Sequence, residues 1–323
     1  MLRSDKARVK TSLACLRVVW LSERPGLRCA ARIGAIFVAQ RDRAQRPGES
    51  GPVAENPIND SARAQFTATA HHYVDSSRHA AGDDLARLVE MARLTGCERV
   101  LDIATGAGHT ALAFAPHVAQ VVASDMTPRM LELAQELANK RAVANVRFVR
   151  AHAESLPFDD GSFDVVTCRV APHHFADPRA FVREAARVLA PSGLFLLDDQ
   201  MAPDDPELDV FVNTFERRRD PSHVRAYTIR EWREWIEDAR LVVELVEDIE
   251  RDSYDFADWT ARAQMPPAER DALERWLLAA PQRCAEFFQI VSAGGHVVSL
   301  RACFAIIAAR KPSAALKSAP LQS

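Results

Sequence analysis

VLDIATGAGHT, residues 100–110, is an apolar strand that ends in an acid, turns on small residues and enters a helix, and a lone acid, Asp125, closes the next apolar run. Glycines in such a turn let backbone N–H groups come close to a ligand that bulky side chains would exclude. A carboxylate at the end of the following strand can accept hydrogen bonds from ribose hydroxyls. The stretch therefore predicts an α/β fold with a nucleoside site at the carboxyl ends of its strands.

Outward from it the pattern alternates. Helices are expected over 66–74 and 82–94. They are followed by strand 99–104, helix 109–116, strand 120–125, helix 128–141, strands 146–150 and 163–168, helix 177–190 and strand 194–199. Thr127 followed by Pro128 suits a helix start, with Thr as N-cap and Pro in the first turn. Helices 205–219 and 228–238, a strand over 241–249, a helical insertion over about 255–291 and an edge strand over 296–308 complete the reading. Buried strands alternating with amphipathic helices imply a mostly parallel sheet covered on both faces.

A dehydrogenase of Rossmann type also carries a Gly-rich turn with an acid about 20 residues on. Here Ala104, Gly106 and Gly108 are followed by His109, Thr110 and Ala111, so the full G-x-G-x-x-G is missing. Asp102 ends the strand, and a carboxylate there repels a diphosphate but suits a cationic amino group. S-adenosylmethionine carries a ribose, an ammonium and a sulfonium, and no phosphate. Downstream, AHAESLPFDDGSFDVVTCRVAPHHF (151–175) and FVREAARVLAPSGLFLLDD (181–199) supply a polar loop, a buried strand, an amphipathic helix and another buried strand in order.

With those stretches, the chain from about Phe66 to about Asp199 resembles the class I S-adenosylmethionine-dependent methyltransferases, particularly the branch with the quinone-biosynthesis C-methyltransferases. The resemblance implies a Rossmann-like, doubly wound, mostly parallel seven-stranded sheet whose last strand is antiparallel, with the helical insertion before it. It also implies S-adenosylmethionine as cofactor. Ala104, Gly106 and Gly108 would line its methionine part and ribose, with Asp102 near the ammonium. Asp125 would take the ribose hydroxyls, Met126 would pack on adenine, and Ala153 and Glu154 would meet the adenine edge. Arg169 and Tyr73 would face the methionine carboxylate.

Several of these residues have other readings. Asp125 can cap the following helix, Glu154 can be solvated, and Arg169 can pair with a carboxylate. His173 and His174, beside Asp198 and Asp199, are candidates for a general base near the acceptor or for shaping the pocket. Adjacent side chains diverge and no third ligand with metal spacing accompanies them, so no metal is expected. Cys168 at a strand end is read as packing in preference to a nucleophile. The aromatic stretch from Trp259 to Phe288 can shield an acceptor from water or form a satellite core. The acceptor itself is expected among residues 200–300.

With 48% hydrophobic residues and 26% charged, the 323-residue chain has the balance of a globular protein, and no apolar run approaches a membrane span. Residues 1–50 hold 11 Lys or Arg against 4 Asp or Glu, leaving 30 against 40 and a formal charge of −10 for the body. An acidic body argues against nucleic acid as a partner. Residues 1–57 read as a disordered basic extension, a targeting peptide or sequence upstream of the true start. The domain is expected over 58–311, followed by a loose tail over 312–323. The function expected is methyl transfer to a small-molecule acceptor. The alternatives are a non-catalytic S-adenosylmethionine-binding regulatory protein and, third, an NAD-dependent oxidoreductase.

Overall fold

The computed structural model describes residues 56–74, 82–249 and 253–313, with the side chains of 68–74 excepted. The expectations for 1–55 and 314–323 lie outside the described residues. Among the described residues two helices, α1 (Pro57–Val74) and α2 (Asp83–Met91), precede the sheet. There follow β1 (Arg99–Ile103), α3 (His109–Phe114), β2 (Gln120–Asp125), α4 (Pro128–Lys140), β3 (Val146–Arg150), β4 (Phe163–Arg169), α5 (Pro178–Val188) and β5 (Leu189–Ala202). The strands run in the order β3-β2-β1-β4-β5 and pair in parallel. Val100, Leu101, Ile103, Val121 and Val166 are buried, as strands covered on both faces require.

The carboxyl-terminal half continues with α6 (Pro206–Arg219), β6 (Tyr227–Thr228), α7 (Ile229–Asp238) and β7 (Val242–Ile249). Thr228 and Glu231 form a reciprocal capping box at the start of α7. The segment before the last strand holds β8 (Tyr254–Asp255), α8 (Phe256–Arg262), α9 (Pro267–Leu278), α10 (Gln282–Phe287), β9 (Val291–Ala293) and β10 (His296–Leu300). The final strand, β11 (Cys303–Arg310), lies antiparallel between β5 and β7. The main sheet is thus the expected seven strands, ending β5-β11-β7, with the two-residue β6 added against β5.

Three expectations change. The run 296–308 is two strands, and its second part lies inside the sheet, not at the edge. Phe304 to Ala309 are all buried, whereas β7 exposes Val242 and Leu245 and is the edge. The insertion is not helical alone: β8, β10 and β9 form a second, three-stranded sheet. Its aromatic side chains form a core of their own, in which Trp276 stacks on Phe211 at 4.6 Å and Tyr254 on Trp259 at 5.6 Å. Finally, α5 stops at Val188 and β5 starts at once, because the residue before Pro191 is driven to extended backbone.

Candidate functional site

Strand order reverses between β1 and β4, the place where open α/β sheets leave a crevice beyond their carboxyl ends. A cavity lies there. It is lined by Ala104 to Ala107 after β1, Asp125 to Thr127 after β2, Ala151, Ala153 and Glu154 after β3, and Arg169 to Ala171 with His174 and Phe175 after β4. From α1, Asn59 and Phe66 close it, and Phe66 packs beside Met130 and Leu133 of α4.

Asp125 holds the two turns of the cavity together. Its Oδ2 accepts the Gly106 N–H at 2.9 Å and its Oδ1 the Thr127 N–H at 2.8 Å. Thr127 occupies the N-cap position of α4 but its side chain makes no cap bond, and the Asp125 carboxylate meets the N–H of Thr127 itself. Burial pushes the Asp125 carboxyl above its ordinary range, opposed by these backbone bonds. Each oxygen retains a second lone pair for a ligand hydroxyl.

The turn after β1 uses its small residues differently from one another. Gly106, at φ 54°, has nothing within 4 Å of a built Cβ, so its α-carbon is bare toward the cavity. Gly108, at φ 86°, would set a Cβ 2.9 Å from Ala134 Cβ of α4. It therefore serves close packing of the turn on α4 and does not line the cavity. Ala104, at φ 54°, lines it in a left-handed conformation that costs a side-chain-bearing residue about 1–2 kcal/mol.

Asp102 also departs from expectation. It is 1% exposed and lies behind the turn, where Thr105 Oγ1 and Thr167 Oγ1 donate to its two oxygens at 2.5 and 2.9 Å. Burial raises its pKa to about 6, against the two hydroxyls. It is absent from the cavity lining, so a direct contact with an ammonium is not what this geometry provides.

Arg169 lines the cavity, and its Nε lies 2.6 Å from Asp84 of α2 and 3.5 Å from Asp198 of β5. The pairing read from the sequence as an alternative is thus present, though with buried carboxylates and not an exposed one. Met126, Ala153 and Glu154 line the cavity as expected, with Glu154 Oε1 accepting the Ala176 N–H at 3.2 Å. Tyr73 falls where side chains are not described.

The two histidines part company. His173 turns to Asp199, which accepts from its backbone N–H at 2.9 Å and meets its Nδ1 at 2.6 Å. Burial would lower its pKa, but the Asp199 carboxylate raises it. His174 lines the cavity and His173 does not. Cys168 is fully buried, and burial with four nearby carboxylates pushes its thiol well up, so it is an inert packing residue. No described residue of the 200–300 segment lines this cavity, and Trp259, Trp276 and Phe288 belong to the satellite core.

Phe66, Asp84 and Ser222 take part without having been singled out. Asp84 is a first-turn acid of α2 with a partner 85 positions away, a pairing no local pattern discloses.

The cavity has the makings of an adenosine site without a phosphate site. Among the described residues its lining holds Asp125, Glu154 and a single arginine, which two carboxylates engage. This defines a Rossmann-like α/β protein built for a nucleoside that carries no diphosphate.

Comparison with known proteins narrows the class. Residues 101–197 match the family described as a methyltransferase domain. The chain is 52% identical over 167 residues to the uncharacterized methyltransferase YcgJ of Bacillus subtilis, a segment covering 52% of this chain and 66% of that protein. Against the solved structure of YcgJ the TM-score is 0.68, with 40% identity over 72% of this chain and 99% of that one. YafE of Escherichia coli is 35% identical over 188 residues, 58% of this chain and 90% of the relative. A demethylmenaquinone methyltransferase of Thermus thermophilus is 42% identical over 109 residues, 33% of this chain and only 49% of that protein. The chain belongs to the class I S-adenosylmethionine-dependent methyltransferases.

Proposed function

We propose that this enzyme methylates a small organic acceptor and that the crevice above β1, β2 and β4 holds S-adenosylmethionine. The observation that carries the reading is the Asp125 carboxylate, lining the cavity and tied to the bare turn at Gly106. S-adenosylmethionine supplies a methyl group already activated by a sulfonium. The protein's part is then alignment, since an in-line displacement gains most from holding the reacting atoms collinear.

In this reading Asp125 binds the ribose hydroxyls, Met126 packs on the adenine ring and Ala153 and Glu154 meet its edge. Ala104 and Gly106 pass under the sugar and methionine part, and Arg169, steadied by Asp84, faces the methionine end. Phe66 of α1 excludes water. The demethylmenaquinone methyltransferase match covers about half of that relative, so it supports methyl transfer without naming the acceptor.

The test is acceptor-dependent release of S-adenosylhomocysteine from methyl-labelled S-adenosylmethionine, using pools of small organic molecules with the full chain. Label in a small-molecule product supports the reading. Tight cofactor binding with no transfer to any pool favours a regulatory binding protein instead.

A further inference from the structure

Methyl transfer alone leaves the acceptor's chemistry open, and the hydrogen bonds around His174 restrict it. His174 Nδ1 lies 2.9 Å from the Ser222 carbonyl oxygen and 3.1 Å from Ser222 Oγ. The carbonyl can only accept. The Ser222 hydroxyl donates its proton to Asp220 Oδ1 at 2.6 Å, so it too faces Nδ1 as an acceptor. Nδ1 must carry the ring proton, and in a neutral imidazole that leaves a lone pair on Nε2.

Nε2 has no hydrogen-bond partner among the described residues, and the ring lines the cavity with Phe66 edge-on at 4.9 Å. The ring also stays neutral. Burial and the His173 ring at 4.1 Å push its pKa down to about 3, aided by Arg219 of α6 and opposed by Asp220. A base that weak removes little of a proton at neutral pH, but it accepts a hydrogen bond well.

Resting on the methyl-transfer reading, we propose that Ser222, backed by Asp220, is a positioning residue that fixes His174 as the Nδ1–H form, and that Nε2 recognises a hydroxyl on an uncharged aromatic acceptor. The ring follows from Phe66 and Phe175 in the lining, and the absence of charge from the described lining residues, which include no lysine and only Arg169, already held by Asp84 and Asp198.

The test uses the full chain labelled with 15N-histidine, with the His174 resonances assigned by loss in His174→Gln. Long-range 1H–15N spectra from pH 6 to 8 should show His174 protonated on Nδ1 and bare on Nε2 throughout, with or without S-adenosylhomocysteine. Phenol should then shift the Nε2 resonance saturably, and anisole, which lacks the donor, should not. His174→Asn keeps a group opposite Ser222 but removes the lone pair from the cavity. It should weaken phenol binding at least fivefold and S-adenosylhomocysteine binding less than twofold. A proton on Nε2, equal responses to phenol and anisole, no response to phenol, or unchanged phenol affinity in His174→Asn overturns the proposal. Failure of the wild-type chain to bind S-adenosylhomocysteine strikes the methyl-transfer reading instead, since the ring's tautomer is read without it.

Discussion

Replacing Asp102 by Asn separates the buried role the structure gives this acid from the ligand role the sequence suggests. Its pKa of about 6, against an ordinary 3.8, means the folded state holds the proton more tightly than the unfolded chain does. Keeping the group ionised therefore costs stability above pH 6, and the cost disappears as the pH falls below about 4. At about 1.36 kcal/mol per pKa unit the gap is worth about 3 kcal/mol at pH 7. Asn removes the charge and can keep both threonines bonded. Thr167 Oγ1 lies 3.4 Å from the Leu101 carbonyl and can turn its proton there while accepting the new amide N–H. Urea unfolding should show Asp102→Asn more stable than wild type by about 1–3 kcal/mol at pH 7.5, the excess shrinking toward zero by pH 4. Affinity for S-adenosylhomocysteine should stay within about tenfold, one factor of ten being about 1.4 kcal/mol. A variant that is folded and no less stable but has lost binding by far more would refute the reasoning and return Asp102 to the ligand.

The other expectations concern the turn and its supports. Asp125→Ala should weaken S-adenosylhomocysteine binding by about 1.5–3 kcal/mol in calorimetry. It should also lower Tm, because the Gly106 and Thr127 N–H groups lose their acceptor. Unaltered affinity would remove the ribose assignment. Gly108→Ala should cost about 1–3 kcal/mol in urea unfolding from its clash with Ala134 and its positive φ. Gly106→Ala, at φ 54° with open space around the new Cβ, should carry only left-handed strain of about 1–2 kcal/mol and lose cofactor affinity besides; unchanged cofactor affinity in Gly106→Ala, or a loss of it in Gly108→Ala alone, would contradict the division between them. Arg169→Met should destabilise by about 3–5 kcal/mol at pH 7, since it leaves Asp84 and Asp198 buried without their counter-charge.

The strands around the crevice were legible because each is a short apolar run bounded by turn residues, and 120–125 and 146–150 fall where the sequence puts them. What local pattern could not supply was partnership across the chain. Gly106 and Gly108 look alike in sequence, and only the position of Ala134 on α4 shows that one faces the cavity and the other a helix. His173 and His174 are likewise adjacent, yet Asp199 claims the first and Ser222 the second, 26 and 48 positions away. The run 296–308 misled because one apolar stretch serves two sheets. Phe304 to Ala309 are buried as an interior strand requires, and 242–249 is half-exposed as an edge is. The aromatic residues of the insertion could not be assigned to acceptor or core by composition, and their stacking on Phe211 and edge contact with Phe215 decide for core.

The central claim is that the crevice takes an adenosine bearing a cationic amino acid and not a dinucleotide, and it is tested most directly by titrating the full chain with S-adenosylhomocysteine and with NAD in a calorimeter. The account predicts one S-adenosylhomocysteine per chain with a Kd on the order of micromolar, about −8 kcal/mol, and no measurable heat from NAD. Saturable NAD binding with S-adenosylhomocysteine inert would contradict it.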